Sequence, residues 1–136
     1  MDALPPTPPD LRSLRRLVLF RALAKRCPQC GGRDVYRGYA RMRKSCPECG
    51  LVFRREHGAQ TGSMYLTAAV TQVFAAAIAG GIFLLSDWSV ALSLGVSIPA
   101  VLGFCLWFLP HSQCLWCGVE YLTDLHNGES WVRPRA

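Results

Sequence analysis

The chain has 136 residues, of which 51% are hydrophobic and only 18% are charged. Soluble domains usually carry about 25% charged residues, so the composition argues against a single soluble globule. Residues 1–63 contain 13 of the 15 Lys and Arg residues, whereas residues 64–109 contain one charged residue, Asp87. A basic first half followed by a nearly uncharged second half is typical of a membrane protein with one basic face.

The N-terminal residues predict a tail followed by a helix. Residues 1–10 contain four prolines, and we expect them to form a disordered tail. Asp10 is suited to cap a basic helix over residues 11–26. Two interpretations of this helix stay open: it lies on an anionic membrane surface, or it packs against the domain that follows it.

Two cysteine pairs in residues 27–55 form the strongest motif of the chain. Cys27 and Cys30 are separated by fifteen residues from Cys46 and Cys49, and each pair has the CxxC spacing. This arrangement is a zinc signature, because four thiolates suit the tetrahedral coordination of Zn(II). We therefore predict that these four cysteines bind one Zn(II) ion.

A small β zinc ribbon is expected around this site. Val35, Tyr36 and Tyr39 favour short strands, and residues 51–53 would add a third. About 30 residues cannot bury a stabilising core alone, so the metal would supply much of the folding free energy. Residues 56–63 are polar, and we expect them to form a linker.

Three uses of the ribbon are considered. The first is a structural or protein-binding module, because four protein ligands leave the metal closed to substrate. The second is nucleic-acid binding through the surrounding arginines. Membrane tethering argues against this use, because the positive-inside rule also explains the presence of these arginines. The third is thiol redox chemistry, which is disfavoured because two pairs at this spacing serve one metal better. No pattern of residues suggests catalysis, so we expect a protein that is not an enzyme.

Two charge-free segments of 21 residues predict a transmembrane hairpin over residues 64–109. The spans are residues 65–85 and 89–109, and each is about 31 Å long as a helix. Lys and Arg residues precede the first span, and the connecting loop has none. The positive-inside rule therefore places both termini in the cytoplasm of a cell whose inner membrane the hairpin crosses. The lipid bilayer is the one partner that the sequence itself implies.

The third cysteine pair, Cys114 and Cys117, lies in the cytosolic C-terminal segment, residues 110–136. If the segment continues as a helix, the two thiols share one face with Tyr121, and small buried cysteines are the favoured interpretation. The alternative is a second thiol or metal site, which would need further ligands because two thiols do not complete a tetrahedron.

The sequence from "RCPQCGG" through "SCPECGLVFRRE", followed by two spans, resembles a family of bacterial membrane proteins called domain of unknown function 983. The resemblance covers roughly residues 22–126, and the four ribbon cysteines are its most specific part. It implies a two-span protein with a zinc-ribbon-like head. The association of some relatives with haem–copper oxidase gene clusters further implies an assembly or metal-handling role, although relatives tend to lack the pair Cys114 and Cys117.

The predicted molecule is thus a membrane α-helical protein, with a two-helix transmembrane hairpin and a small N-terminal β zinc ribbon. Its expected function is that of a non-enzymatic protein-interaction module with Zn(II) as cofactor. An assembly or metal-handling factor for a membrane complex is the alternative, and a membrane-tethered nucleic-acid binder is a further one. The expected partner is another membrane or cytosolic protein.

Overall fold

Three helices make up most of the structure, a computed structural model that describes residues 11–53, 61–129 and 132. Helix α1 spans Leu11–Leu23, α2 spans Thr61–Leu85 and α3 spans Val90–His126. The predicted tail, residues 1–10, and the larger part of the predicted linker lie outside the described residues. The linker's last three residues already belong to α2.

Helix α1 ends at Leu23, three residues before the predicted end, because the chain turns there. Lys25 adopts a left-handed backbone conformation with φ of 55°. The amide of Arg26 donates to the carbonyl of Arg21, and the amide of Lys25 donates to that of Ala22. This pair of hydrogen bonds is a Schellman motif, which satisfies the last carbonyls of a helix and stops it.

Helices α2 and α3 are both long and apolar enough to cross a membrane. Their apolar windows contain no buried residue, whereas the core helix of a soluble domain would be largely buried. The two helices pack side by side, with the rings of Phe74 and Phe104 stacked at a centroid distance of 4.0 Å. These features indicate a membrane protein built on a helical hairpin.

Helix α3 continues beyond the predicted membrane span at its C-terminal end. The predicted span stops at Leu109, but the helix continues through Pro110 to His126, a total of 37 residues. That length corresponds to about 55 Å, well beyond the roughly 30 Å of bilayer hydrocarbon. The C-terminal part of α3 therefore extends past the span, and α1 and the segment between α1 and α2 pack against it.

The segment between α1 and α2, residues 24–53, is called the head below. The predicted β ribbon is not confirmed here: the described head residues form only two isolated antiparallel bridges, Tyr36 with Met42 and Ser45 with Val52. Many of the head's backbone hydrogen bonds instead close tight turns around the cysteines. The head is thus a set of tight cysteine turns with one short hairpin, rather than a sheet.

The buried core lies outside the hairpin and joins three elements. It combines residues of α1, of the head and of the C-terminal part of α3, chiefly Leu14, Val18, Val35, Met42, Leu51, Phe53, Cys114, Cys117 and Tyr121. Helix α1 lies close to α3 at Gly118, where a Cβ atom would lie 3.3 Å from the Cβ of Ala22. The packing interpretation of α1 therefore agrees with the structure, while Phe20 on its other side is 70% exposed.

A proline inside α3 marks the place where the head meets the membrane helix. Pro110 has no amide hydrogen, so the carbonyl of Leu106 loses its helical donor. The hydroxyl of Tyr39 donates to this carbonyl at 2.6 Å, and the hydroxyl of Tyr36 donates to the carbonyl of Pro110. Two tyrosines of the head thus bond to the irregular turn of α3.

Candidate metal centre

Each CxxC pair of the head closes the same backbone turn. The amide of Cys27 donates to the carbonyl of Gly32, and the amide of Gly31 donates back to the carbonyl of Cys27, both at 2.9 Å. Cys46 and the glycine after its pair, Gly50, repeat this pattern at 2.8 and 2.9 Å. Gly31 and Gly50 have φ of 80° and 76°, a left-handed conformation that favours glycine. The CxxCG sequence therefore specifies the turn.

The two turns face each other and bring the four predicted ligands together. The sulfur atoms of Cys27, Cys30, Cys46 and Cys49 all lie within 4.8 Å of one another. The Sγ atoms of Cys27 and Cys49 are 3.6 Å apart, as are those of Cys30 and Cys46. A tetrahedral zinc with Zn–S bonds of about 2.3 Å requires sulfur separations of about 3.8 Å. The four thiols therefore fit a single tetrahedral metal ion.

The surroundings of the thiols raise the pKa of two of them and lower the pKa of a third. Burial raises the pKa of Cys27 well above its ordinary value, and burial likewise raises the pKa of Cys49 to about 11. Burial also raises the pKa of Cys46, but hydrogen bonds, chiefly from the backbone amides of Cys49 and Glu48, outweigh it and hold that pKa below its ordinary value. Since metals bind thiolates, a bound cation would supply the charge that stabilises the ionised cluster.

Helix α1 braces the first turn of the centre. The Nη1 atom of Arg21 donates to the carbonyl of Gln29 at 3.0 Å and to that of Pro28 at 3.3 Å. Within the same turn, the amide of Gly32 donates to the sulfur of Cys30 at 3.4 Å. A thiolate that accepts such bonds is stabilised and held in place. The centre is therefore anchored to a helix that itself packs on α3.

The third cysteine pair lies on the buried face of α3. Cys114 is 1% exposed and Cys117 is 7% exposed, and both belong to the same buried core as Cys27 and Cys46. Within the part of the chain that the structure describes, no group of three or more clustered metal-binding side chains includes them. Their helical spacing agrees with the interpretation as small buried residues, and a second thiol or metal site stays a prediction.

The contacts of the two head tyrosines were not predicted from the sequence. Tyr36 and Tyr39 were assigned to strands, whereas their hydroxyls bond to α3 some 70 positions away. Burial, followed by the neighbouring Cys114, raises the pKa of Tyr36 well above its usual range, so its hydroxyl stays protonated and can donate. In the sequence, Pro110 is the residue that could have indicated these contacts, because it leaves the carbonyl of Leu106 without its helical donor.

Comparison with known proteins gives one result. A model of the family described as "Protein of unknown function (DUF983)" matches residues 36–121. The match includes the second cysteine turn, all of α2, α3 as far as Tyr121 and the third cysteine pair, whereas the first turn and α1 precede it. No curated protein and no solved structure match the chain.

Proposed function

Because the chain belongs to the DUF983 family, whose function is unknown, we propose a function from its own residues. The protein is a membrane-anchored module whose head holds one Zn(II) ion and binds another protein, without catalysing a reaction. The observation that carries this proposal is the convergence of four thiols within 4.8 Å on two matching turns. Four protein ligands fill a tetrahedral zinc site, as in structural rather than catalytic centres.

The position of the head supports a role in presenting a surface. One side of it packs on α1 and on α3 beyond the membrane span, so the head is held at a fixed place beside the bilayer. Its other side remains accessible, with Arg33, Arg37 and Arg41 exposed. A small metal-stabilised domain fixed at the membrane is suited to hold a partner there.

The metal assignment is tested by measuring zinc in purified full-length protein. We expect one zinc per chain, and we expect its loss in Cys46→Ser because three thiols and a hydroxyl bind zinc poorly. Cys105→Ser is the matched control, since Cys105 lies within the span and outside the four-thiol cluster. Full zinc content in Cys46→Ser would contradict the assignment.

The interaction role is tested separately by crosslinking and affinity isolation from native membranes. A protein that binds the head should be recovered with the wild type and with Cys105→Ser, and should be lost with Cys46→Ser. If Cys46→Ser loses its zinc but retains every crosslinked protein, the head is not the interaction module.

A second candidate function, in metal handling for a membrane complex, is favoured by the position of Cys114 and Cys117. Both thiols are in the buried core that also contains Cys27 and Cys46. A metal ion that leaves the four-thiol site would therefore meet two further thiols nearby. A second, labile zinc equivalent that disappears in Cys114→Ser/Cys117→Ser supports this candidate. One zinc per chain in both proteins argues against it.

The proposed location is an inner membrane, with both termini in the cytoplasm. Helix α1, the head and the C-terminal part of α3 share one core, so they occupy the same end of the hairpin. Most Lys and Arg residues lie at that end, whereas the loop between α2 and α3 carries only Asp87. Reporter fusions at both termini and in the loop, with cytoplasmic signals at the termini alone, are the expected result.

A further inference from the structure

A cavity of about 480 Å³ on the head is lined by a concentration of positive charge. Four of its seven lining residues are cationic, namely Arg37, Arg41, Arg43 and Lys44, and none is acidic. Arg43 forms an ion pair with Asp34, with a closest distance of 3.1 Å. Among the described residues, no ion pair is found for the other three, so the cavity carries a strong positive potential.

The arrangement of the arginines is unfavourable without an anion. Arg37 and Arg41 are opposite one another in the head hairpin, because the amide of Arg37 donates to the carbonyl of Arg41 beside the Tyr36–Met42 bridge. Like charges at opposing positions destabilise a hairpin. The Nε atom of Arg43 is also buried and has no hydrogen-bond partner. A bound anion would neutralise the repulsion and offer acceptors to these donors.

The hairpin lies next to the membrane span. Tyr39, at its tip, is 65% exposed and bonds to the carbonyl of Leu106, which is three residues before the predicted end of the span. Tyrosines are enriched at the membrane interface. Arg37 and Arg41 are each two residues from Tyr39, so their Cα atoms are within about 7 Å of it. That distance places the cavity at the level of the lipid headgroups.

We propose that this cavity binds the phosphate group of an anionic phospholipid. Arginine forms paired hydrogen bonds with phosphate oxygens, and the cavity presents three arginines and one lysine. Free phosphate and a lipid headgroup offer the same chemistry, but the contact of Tyr39 with the span favours the lipid. The cavity adjoins the second cysteine turn through Ser45 and Pro47, but none of the four clustered cysteines lines it, so the bound phosphate would not be a ligand of the metal centre.

The test uses full-length, zinc-loaded protein in a neutral detergent. Short-chain phosphatidylglycerol and phosphatidylcholine are titrated, and bound lipid is counted by native mass spectrometry. We expect a preference for phosphatidylglycerol, which weakens by about fivefold for each arginine removed in Arg37→Gln/Arg41→Gln. The matched control is Arg15→Gln/Arg16→Gln, which removes the same charge from exposed positions of α1 outside the cavity.

Zinc content verifies that the head is folded in each variant, and Arg41→Gln alone serves if the double variant loses zinc. If the cavity variant and the control variant bind phosphatidylglycerol equally weakly, the effect is one of net charge and the proposal is overturned. Displacement of the lipid by equal concentrations of inorganic phosphate, or of a duplex oligonucleotide, would assign the site to free phosphate or to nucleic acid instead. A wild type without lipid preference would also overturn it.

Discussion

At the scale of single residues, Tyr39 donates a hydrogen bond that replaces one lost from helix α3 at a proline. The carbonyl of Leu106 has no helical donor because Pro110 follows it by four residues, and the hydrocarbon of the bilayer offers no water to replace that donor. The hydroxyl of Tyr39 supplies the missing hydrogen bond. One side chain of the head therefore compensates for a backbone defect in a membrane helix.

We predict that Tyr39→Phe destabilises the protein by about 1 kcal/mol, since it leaves that carbonyl unsatisfied. The effect is measured as the midpoint of thermal unfolding in detergent. Tyr65→Phe is the control, because Tyr65 is an exposed tyrosine of α2 for which the structure shows no hydrogen bond. Pro110→Ala restores the helical donor, so Tyr39→Phe should cost much less in that background. An equal cost in both backgrounds would show that the hydroxyl does not replace the helical bond.

Residue patterns predicted that the four cysteines of the head come together, but not what surrounds them. The CxxCG repeats specify a local turn, because a glycine with positive φ and short-range hydrogen bonds are encoded within six residues. The bond from Tyr39 to Leu106 joins positions 67 residues apart. No local preference encodes such a contact, and only the folded structure reveals it.

At the scale of elements, the two spans were predicted because a long run without charge has few alternatives to a membrane helix. The continuation of α3 past Leu109 was one of two interpretations of the sequence, because Pro110 and a cysteine pair can also end a helix. At the proline, two head residues donate hydrogen bonds to carbonyls of α3. Cys114 and Cys117 are buried in the core shared with α1 and the head, which stabilises the continued helix. The predicted strands are not confirmed among the described residues. Because the head packs on helices, it buries Val35 and Phe53 without a sheet.

The crossing of α1 and α3 depends on a glycine. Gly118 allows Ala22, which is fully buried, and Val18 to approach the backbone of α3. Gly118→Leu should force the helices apart and cost about 1–3 kcal/mol, the usual range for overpacking. Limited proteolysis would then cut α1 faster. Gly103→Leu is the control in the same helix, because no atom lies within 4 Å of a Cβ there; comparable cleavage of both variants would contradict the prediction.

At the scale of the whole molecule, the protein consists of two parts that depend differently on the metal. The hairpin holds its own backbone hydrogen bonds within two helices and is stabilised by lipid. The head has about 30 residues and buries its apolar side chains partly against α1 and α3. Cys27 and Cys46 belong to that same buried core, so the metal centre and the packing of the head on the helices should be lost together.

We therefore expect chelation of the proposed Zn(II) ion to release the head and α1 while the hairpin persists. Hydrogen exchange measured in detergent should accelerate over residues 11–53 and 114–121, but should stay slow over residues 70–85. The loss of helical circular dichroism should be limited to α1 and the C-terminal part of α3. Added zinc should restore protection, because ligand binding to the folded state alone stabilises it. Equal acceleration across the hairpin would show that the membrane helices also need the metal; unchanged exchange in the head would show that packing on α3 suffices without it.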